Sequence, residues 1–296
     1  MPAASELAPP ELDALVPAQS FDRRDFLAAS IGAGFALAVQ PALAQTAVHT
    51  DGDGLIAGEI RASVKDGEIA AYRAQPANMA KPPVVLVVSE IFAVHEYIRD
   101  VCRRLAKLGY LAIAPELFAR QGDPRRIESI PEILDKIVSK TPDAQVMSDL
   151  DACVAWAAAN GGDTARLAIT GFCWGGRITW LYAARNPQVK AGVAWYGRLV
   201  GAANDITPTQ PSDITGQLQA PVLGLYGGED AGIPLDTVDA MRQRLKTGSA
   251  AAQASQIKVY PNAPHAFHAD YRPSYRAAEA ADGWRSMLAW FKEHGV

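Results

Sequence analysis

Between Leu167 and Gly176 the chain reads LAITGFCWGG, and no other stretch restricts the fold as tightly. Leu167–Thr170 is a short apolar run of the kind buried in a sheet. Gly171-Phe172-Cys173-Trp174-Gly175 follows, and Arg177–Arg185 has helical spacing. Strand, tight turn and helix therefore meet at a cysteine in the pattern G-x-C-x-G, a variant of the G-x-S-x-G turn that presents a nucleophile. The glycines have a steric role, because a side chain two residues before or after Cys173 would collide with the strand or the helix. The thiol is pushed out at the carboxyl edge of a sheet. The Trp174 N–H, at the helix start, points beside the sulfur, where it and the helix dipole can hold a developing oxyanion. The competing reading makes Cys173 a small buried hydrophobe in a glycine-rich turn, so the rest of the chain has to decide.

The chain of 296 residues, 49% hydrophobic, suits one large α/β domain. Its N-terminus reads as an address. Arg23-Arg24 precede the apolar run Leu27–Val39, and Pro41-Ala42-Leu43-Ala44 offers an A-x-A cleavage site before Gln45. These parts, in this order, resemble a bacterial twin-arginine (Tat) signal. Residues 1–44 are thus expected to engage the Tat export machinery, and residues 45–296 to form a periplasmic or secreted domain. The apolar run is too short to span a bilayer comfortably, so no stable membrane insertion of the mature protein is expected. The net charge is −4; beyond residue 44 there remain 26 basic and 27 acidic residues, which gives no nucleic-acid surface. Three cysteines form no disulfide framework, and Cys102 and Cys153 sit at apolar helical positions. Five histidines without HExxH or CxxC spacing imply no metal site, and no cofactor is implied.

Along the mature chain, Leu55–Ala62 and Glu68–Arg73 read as an opening hairpin, and Val84–Val88 as a central strand buried on both faces. Helices are expected at His95–Leu108, Ile127–Val138, Pro142–Ala159, Leu235–Leu245 and Ala277–His294. Strands are expected at Tyr110–Ala114, Val189–Trp195, Pro221–Tyr226 and Gln256–Tyr260, with an irregular Tyr196–Gln219 able to cover a site. The alternation predicts a mostly parallel central sheet flanked by helices on both faces.

Functional groups gather at the carboxyl ends of such strands. Three strand ends carry Cys173, Asp230 and His265 in that order. A thiol near neutral pH is mostly protonated and needs a base; an imidazole suits, and a carboxylate should hold its far nitrogen. Asp230 could instead cap a helix and His265 could be a loop histidine, while Glu229 and His268 compete for the same roles. Order and placement together favour the catalytic reading. The order nucleophile, acid, base is that of the α/β-hydrolase fold.

On Glu90-Ile91-Phe92, Ala114-Pro115-Glu116-Leu117-Phe118-Ala119-Arg120, Gly171-Phe172-Cys173-Trp174-Gly175-Gly176, Gly227-Gly228-Glu229-Asp230 and His265-Ala266-Phe267, the chain resembles the dienelactone hydrolases (carboxymethylenebutenolidases), cysteine members of that fold. The resemblance implies Cys173 as nucleophile, His265 as base and acid, and Asp230 as its orienter. It implies Glu90 near the thiol, influencing its ionisation, and an oxyanion hole from the N–H groups of Ile91 and Trp174. The alternative for Glu90 is a buried carboxylate held by a helix end or an arginine. Arg120, Phe92, Tyr196 and Phe267 are candidate substrate contacts. Family enzymes acting on dienelactone grip its carboxylate with arginines, one of them four residues after the catalytic histidine. Here that position is Ala269, and Arg125-Arg126 give no clear match to the other, so Arg198, Arg272 and Arg276 are the candidate substitutes. The expected activity is hydrolysis of a small ester or lactone through a thioester acyl-enzyme. The rival classes are a non-catalytic binding relative of the fold and a thiol-redox protein.

Overall fold

The computed structural model describes residues 47–296. The export signal expected over residues 1–44 lies outside the described residues.

The alternating pattern folds into one sheet of eight strands among the described residues: β1 (Leu55–Val64), β2 (Gly67–Pro76), β3 (Pro83–Val88), β4 (Leu111–Pro115), β5 (Asp163–Phe172), β6 (Val189–Trp195), β7 (Val222–Gly227) and β8 (Gln256–Tyr260). Their spatial order is β1-β2-β4-β3-β5-β6-β7-β8. β1 and β2 form the expected hairpin, and β2 also runs antiparallel to β4. From β4 to β8 every pairing is parallel. Every residue of β3 is buried, as a strand covered on both faces requires. The chain steps from β3 outward to β4 and then returns to place β5 on β3's other side. That reversal of direction opens a crevice at the carboxyl ends of β3 and β5.

Seven α-helices accompany the sheet among the described residues: α1 (Glu96–Lys107), α2 (Ile130–Lys136), α3 (Asp143–Ala159), α4 (Trp174–Arg185), α5 (Leu235–Thr247), α6 (Ala250–Ala254) and α7 (Ala277–Glu293). α1 buries Ile98, Val101 and Leu105 at helical spacing and ends at Gly109, whose φ of +99° and N–H bond to Ala106 O close the last turn. The helix expected over Ile127–Val138 is shorter. Ser129 caps it by accepting the Glu132 N–H, and 3₁₀ turns at Pro124–Arg126 and Val138–Lys140 flank it. β5 starts earlier than the apolar run suggested, because the Asp163 N–H is drawn to Pro82 O at 2.9 Å.

The segment from Tyr196 to Gln219 is irregular, as expected, with 3₁₀ turns at Pro211–Asp213 and Thr215–Gln217. It is tied to the helices beside it. Ile206 O accepts the Asp143 N–H at the start of α3. Arg177, in the first turns of α4, donates to both carboxylate oxygens of Asp143 at 2.7 and 2.8 Å, to Gln210 Oε1 at 2.9 Å and to Thr209 O at 2.8 Å. This guanidinium is buried, so its loss strands the Asp143 charge. Arg177→Met is expected to lower the unfolding free energy by about 3–5 kcal/mol, measured by urea denaturation; a change under about 1 kcal/mol would show that the pair is structurally idle.

Candidate active site

Cys173 occupies the single residue between β5 and α4. Its φ of +53° and ψ of −115° lie in a region that non-glycine residues enter only under constraint. The constraint is backbone contact. A Cβ on Gly171 would sit 2.2 Å from Gly175 O, one on Gly175 would sit 2.3 Å from Val88 O, and one on Gly176 would sit 2.6 Å from Trp195 O. The Cys173 N–H donates to Trp195 O at 3.0 Å, and its carbonyl accepts from Gly176 and Arg177. Strand β3, strand β6 and helix α4 thus touch through main chain alone. Gly197 completes the contact from the other side: its Cβ would lie 2.3 Å from Gly176 C. Sequence reasoning did not single out Gly197, because its neighbour in space is some twenty residues away in sequence.

His265 and Asp230 are brought together as expected. His265 Nδ1 donates to Asp230 Oδ2 at 2.7 Å, and both side chains are buried. The other oxygen, Oδ1, accepts the N–H groups of Gly232 and Ile233 at 2.9 and 3.2 Å, which fixes the carboxylate's orientation. With Nδ1 engaged, His265 Nε2 is left facing the Cys173 thiol, without a hydrogen bond of good geometry to it. Burial pulls the His265 pKa down. The Asp230 carboxylate, and then the Cys173 sulfur, outweigh burial and raise it to about 10.

The competing acid and base fall away. His268 is sandwiched between Phe172, Trp195 and Trp284, and its Nδ1 pairs with the Tyr97 hydroxyl at 2.6 Å. Burial, helped by the Arg104 charge, holds it far below the ordinary imidazole value, so it is a neutral packing residue. Glu229 lies next to Asp230, but the contact to His265 is made by Asp230.

Glu90 follows β3 and is completely buried. Among the described residues, neither a helix end nor an arginine is hydrogen-bonded to it. Its Oε2 pairs with His95 Nε2 at 3.3 Å, and its Oε1 accepts from the Tyr271 hydroxyl at 3.4 Å. Sequence reasoning passed over both partners. His95 starts the expected helix and lies five residues after Glu90, within reach of the same turn. Tyr271 carried no local signal, since it arrives from the loop after His265. Ile91 and Phe92 are buried against Ile130 and Ile133 of α2, with Trp174 packed on the same cluster. Phe267 is buried with Tyr196 at a centroid distance of 5.3 Å.

One candidate substrate contact is corrected. Arg120 gives Nε and Nη2 to Asp66 in the β1–β2 turn at 2.7 Å each, and Nη1 and Nη2 to the buried Asp149 of α3 at 2.8 and 3.0 Å. Both faces of its fork are occupied by carboxylates, so it clamps the hairpin to α3 rather than awaiting a ligand. Arg125 likewise braces a loop, bonding Glu116, Asp123 and Val94 O. Of the substitutes, Arg272 is buried with its guanidinium 5.9 Å from the Phe92 ring, Arg198 is half-buried just after β6, and Arg276 bonds the carbonyls of Pro273 and Tyr275. Cys102 and Cys153 are buried free thiols; burial pushes Cys153 up to about 12 and Cys102 higher still, so both are inert core residues. Among the described residues no cluster of three or more His, Cys, Asp or Glu side chains is arranged to hold a metal ion, and no helix is long and apolar enough to cross a membrane.

A strained cysteine elbow facing a buried histidine–aspartate pair, on this strand order, places the chain among known proteins. The profile of the Dienelactone hydrolase family matches residues 69–295. The chain belongs to the dienelactone hydrolase family. A protein of Methylorubrum extorquens provisionally named carboxymethylenebutenolidase is 59% identical over 287 residues, covering 97% of this chain and 98% of that one. One of Escherichia coli K12 with the same provisional name is 57% identical over 263 residues, covering 88% and 96%. A crystal structure from Klebsiella pneumoniae, provisionally named dienelactone hydrolase, superposes with a TM-score of 0.79 at 58% identity over 81% of this chain and all of that one. The protein therefore has the α/β-hydrolase fold and is a carboxylic ester hydrolase acting on an ester or lactone.

The raised His265 pKa sets a pH dependence. A histidine whose folded value exceeds its ordinary 6.5 adds stability that is complete below 6.5 and is lost as pH rises through about 10. In an NMR titration the His265 ring of this dienelactone hydrolase relative is expected to titrate near the upper value, and Asp230→Asn to move it sharply down. An unmoved value in Asp230→Asn would mean that the carboxylate does not hold the charge.

Proposed function

We propose that Cys173, His265 and Asp230 act as a catalytic triad that hydrolyses an activated ester or lactone through a thioester. The observation that carries this reading is the buried 2.7 Å Asp230–His265 pair facing a thiol on a strained elbow. His265 Nε2 takes the thiol proton and Cys173 Sγ attacks the acyl carbon. The carbonyl oxygen, now anionic, rests on the N–H groups of Trp174 and Ile91. The carbon–oxygen bond breaks, its electron pair stays on the leaving oxygen, and His265 returns the proton there. Water, deprotonated by the same nitrogen, then attacks the thioester and the carbon–sulfur bond breaks. Asp230 keeps the tautomer and stabilises the imidazolium at both stages. Glu90, at the end of β3, modulates thiol ionisation, with its carboxylate oxygens positioned by His95 and Tyr271.

Thiolate leaves a tetrahedral intermediate more readily than alkoxide, so the intermediate falls back unless the substrate's own leaving group is good. This favours enol lactones and aryl esters over simple alkyl esters. Hydrolysis of cis- and trans-dienelactone and of p-nitrophenyl acetate by wild type and Cys173→Ala tests the proposal. Turnover of at least one is expected, falling by about 10³-fold or more in the variant; undiminished turnover without the thiol would overturn it. The first 44 residues are proposed to route the enzyme through twin-arginine export. Replacing Arg23 and Arg24 together by lysine should leave the protein in the cytoplasmic fraction, and unchanged periplasmic recovery would refute that assignment.

A further inference from the structure

Ile91 lies in the turn that follows β3, and among the described residues no main-chain carbonyl accepts its N–H. The turn is strained: Ala93 has a φ of +61°, which non-glycine residues seldom adopt. Such a conformation persists only where its surroundings impose it. Here two sets of contacts do so, and both involve residues 124–140, the segment made of α2 and its two flanking 3₁₀ turns.

The first set is polar. Arg125, in the leading 3₁₀ turn, donates from Nη1 to Val94 O at 3.3 Å and to Glu116 Oε1 at 2.9 Å. Glu116 accepts the Val94 N–H on Oε2 at 3.4 Å. Both main-chain groups of Val94 are thus held by one ion pair, and Asp123 steadies the guanidinium from its other side. The second set is apolar. Ile130 and Ile133 of α2 are buried with Ile91 and Phe92, and Ile137 is buried with Ala93 and Phe118. None of these residues belongs to the main core. Trp174 packs on both clusters and on that core, with its ring 4.7 Å from the Phe118 ring between centroids.

The side chains of Ile91 and Trp174 therefore meet in a small apolar cluster that α2 and its turns close. In the mechanism above, the N–H groups of these two residues hold the oxyanion. They come from different elements, and both have to aim at one oxygen, because hydrogen bonds weaken steeply with misalignment. The glycine contacts that fix Cys173 and the start of α4 reach the β3 side only as far as Ser89. Beyond Ser89 the turn is set by the contacts just described. We infer that Arg125 and Ile133 are positioning residues for the oxyanion hole, Arg125 through the main chain of Val94 and Ile133 through the side chain of Ile91. This rests on the acyl-transfer reading above. Neither residue touches substrate. As sulfur adds to the acyl carbon, an electron pair moves onto the carbonyl oxygen, and the held turn keeps the Ile91 N–H aimed at it.

The test compares kcat/KM for p-nitrophenyl acetate with the rate of Cys173 alkylation by iodoacetamide, in wild type, Arg125→Met, Ile133→Ala and Ile133→Val. Alkylation displaces iodide from a saturated carbon and forms no oxyanion, so it reports the thiol, its base and the folded elbow alone. Loss of an oxyanion donor costs about 10²–10³-fold, so a misplaced one is expected to cost Arg125→Met and Ile133→Ala roughly ten- to hundredfold in kcat/KM. Alkylation is expected at the wild-type rate in both. Ile133→Val keeps most of the contact and is expected within about threefold of wild type in kcat/KM. Hydrolysis at the wild-type rate in either Arg125→Met or Ile133→Ala overturns the inference. So does alkylation that falls in step with hydrolysis, because the segment would then support the thiol or the fold instead of the hole. Should Ile133→Ala not fold, Arg125→Met decides by the same two rates, since the Arg125 side chain is 32% exposed. Turnover surviving in Cys173→Ala would remove instead the acyl-transfer reading beneath it.

Discussion

Main chain pressed on main chain around Cys173 is the constraint from which the site follows. Gly171 and Gly175 face each other across the turn, Gly175 abuts the end of β3, and Gly176 abuts the end of β6 and Gly197. No side chain fits between them, so β3, β5, β6 and α4 meet at one fixed point. The arrangement holds Cys173 and Tyr196 at positive φ, each at a cost of roughly 1–3 kcal/mol. The buried strands on either side stabilise the sheet enough to offset that strain.

Two carboxylate–imidazole pairs then flank the crevice. Asp230 with His265 comes from the β7 and β8 ends, and Glu90 with His95 from the β3 end. Both carboxylates are buried, and both are hydrogen-bonded. The pairs differ in what surrounds them. Asp230 is held by two backbone N–H groups and pushes proton affinity onto His265, whose second nitrogen faces the sulfur. Glu90 is held by two side chains, His95 and Tyr271. In the proposed mechanism the first pair moves the proton, while the second lies at the end of β3. Arg120 ties the hairpin to α3, and Arg125 braces the loop at Glu116 and Asp123.

The elbow was legible in the sequence because its requirements are local: the glycines that permit it lie within three residues of Cys173. The strand ends carrying Asp230 and His265 were legible for the same reason, since apolar runs fix where strands stop. What escaped reading depends on distant partners. Arg120 looked available until Asp66 and Asp149, from two other elements, closed on it. His265 was already preferred to His268 from the sequence, and the aromatic packing of His268 supplies the physical reason. Gly197 acquires meaning only once β6 lies against β5. The short α2 shows the same limit on a smaller scale, because Ser129 and Pro131 decide its start against an apolar pattern that continues on both sides.

Covalent chemistry at Cys173 is the central claim, and the most direct measurement is mass spectrometry of enzyme quenched in acid during turnover of p-nitrophenyl acetate. The account predicts an acetyl group on the peptide containing Cys173, absent from Cys173→Ala and accumulating in His265→Ala only slowly. An acetyl group on another side chain, or rapid turnover with no acyl-enzyme and no dependence on Cys173, would contradict it.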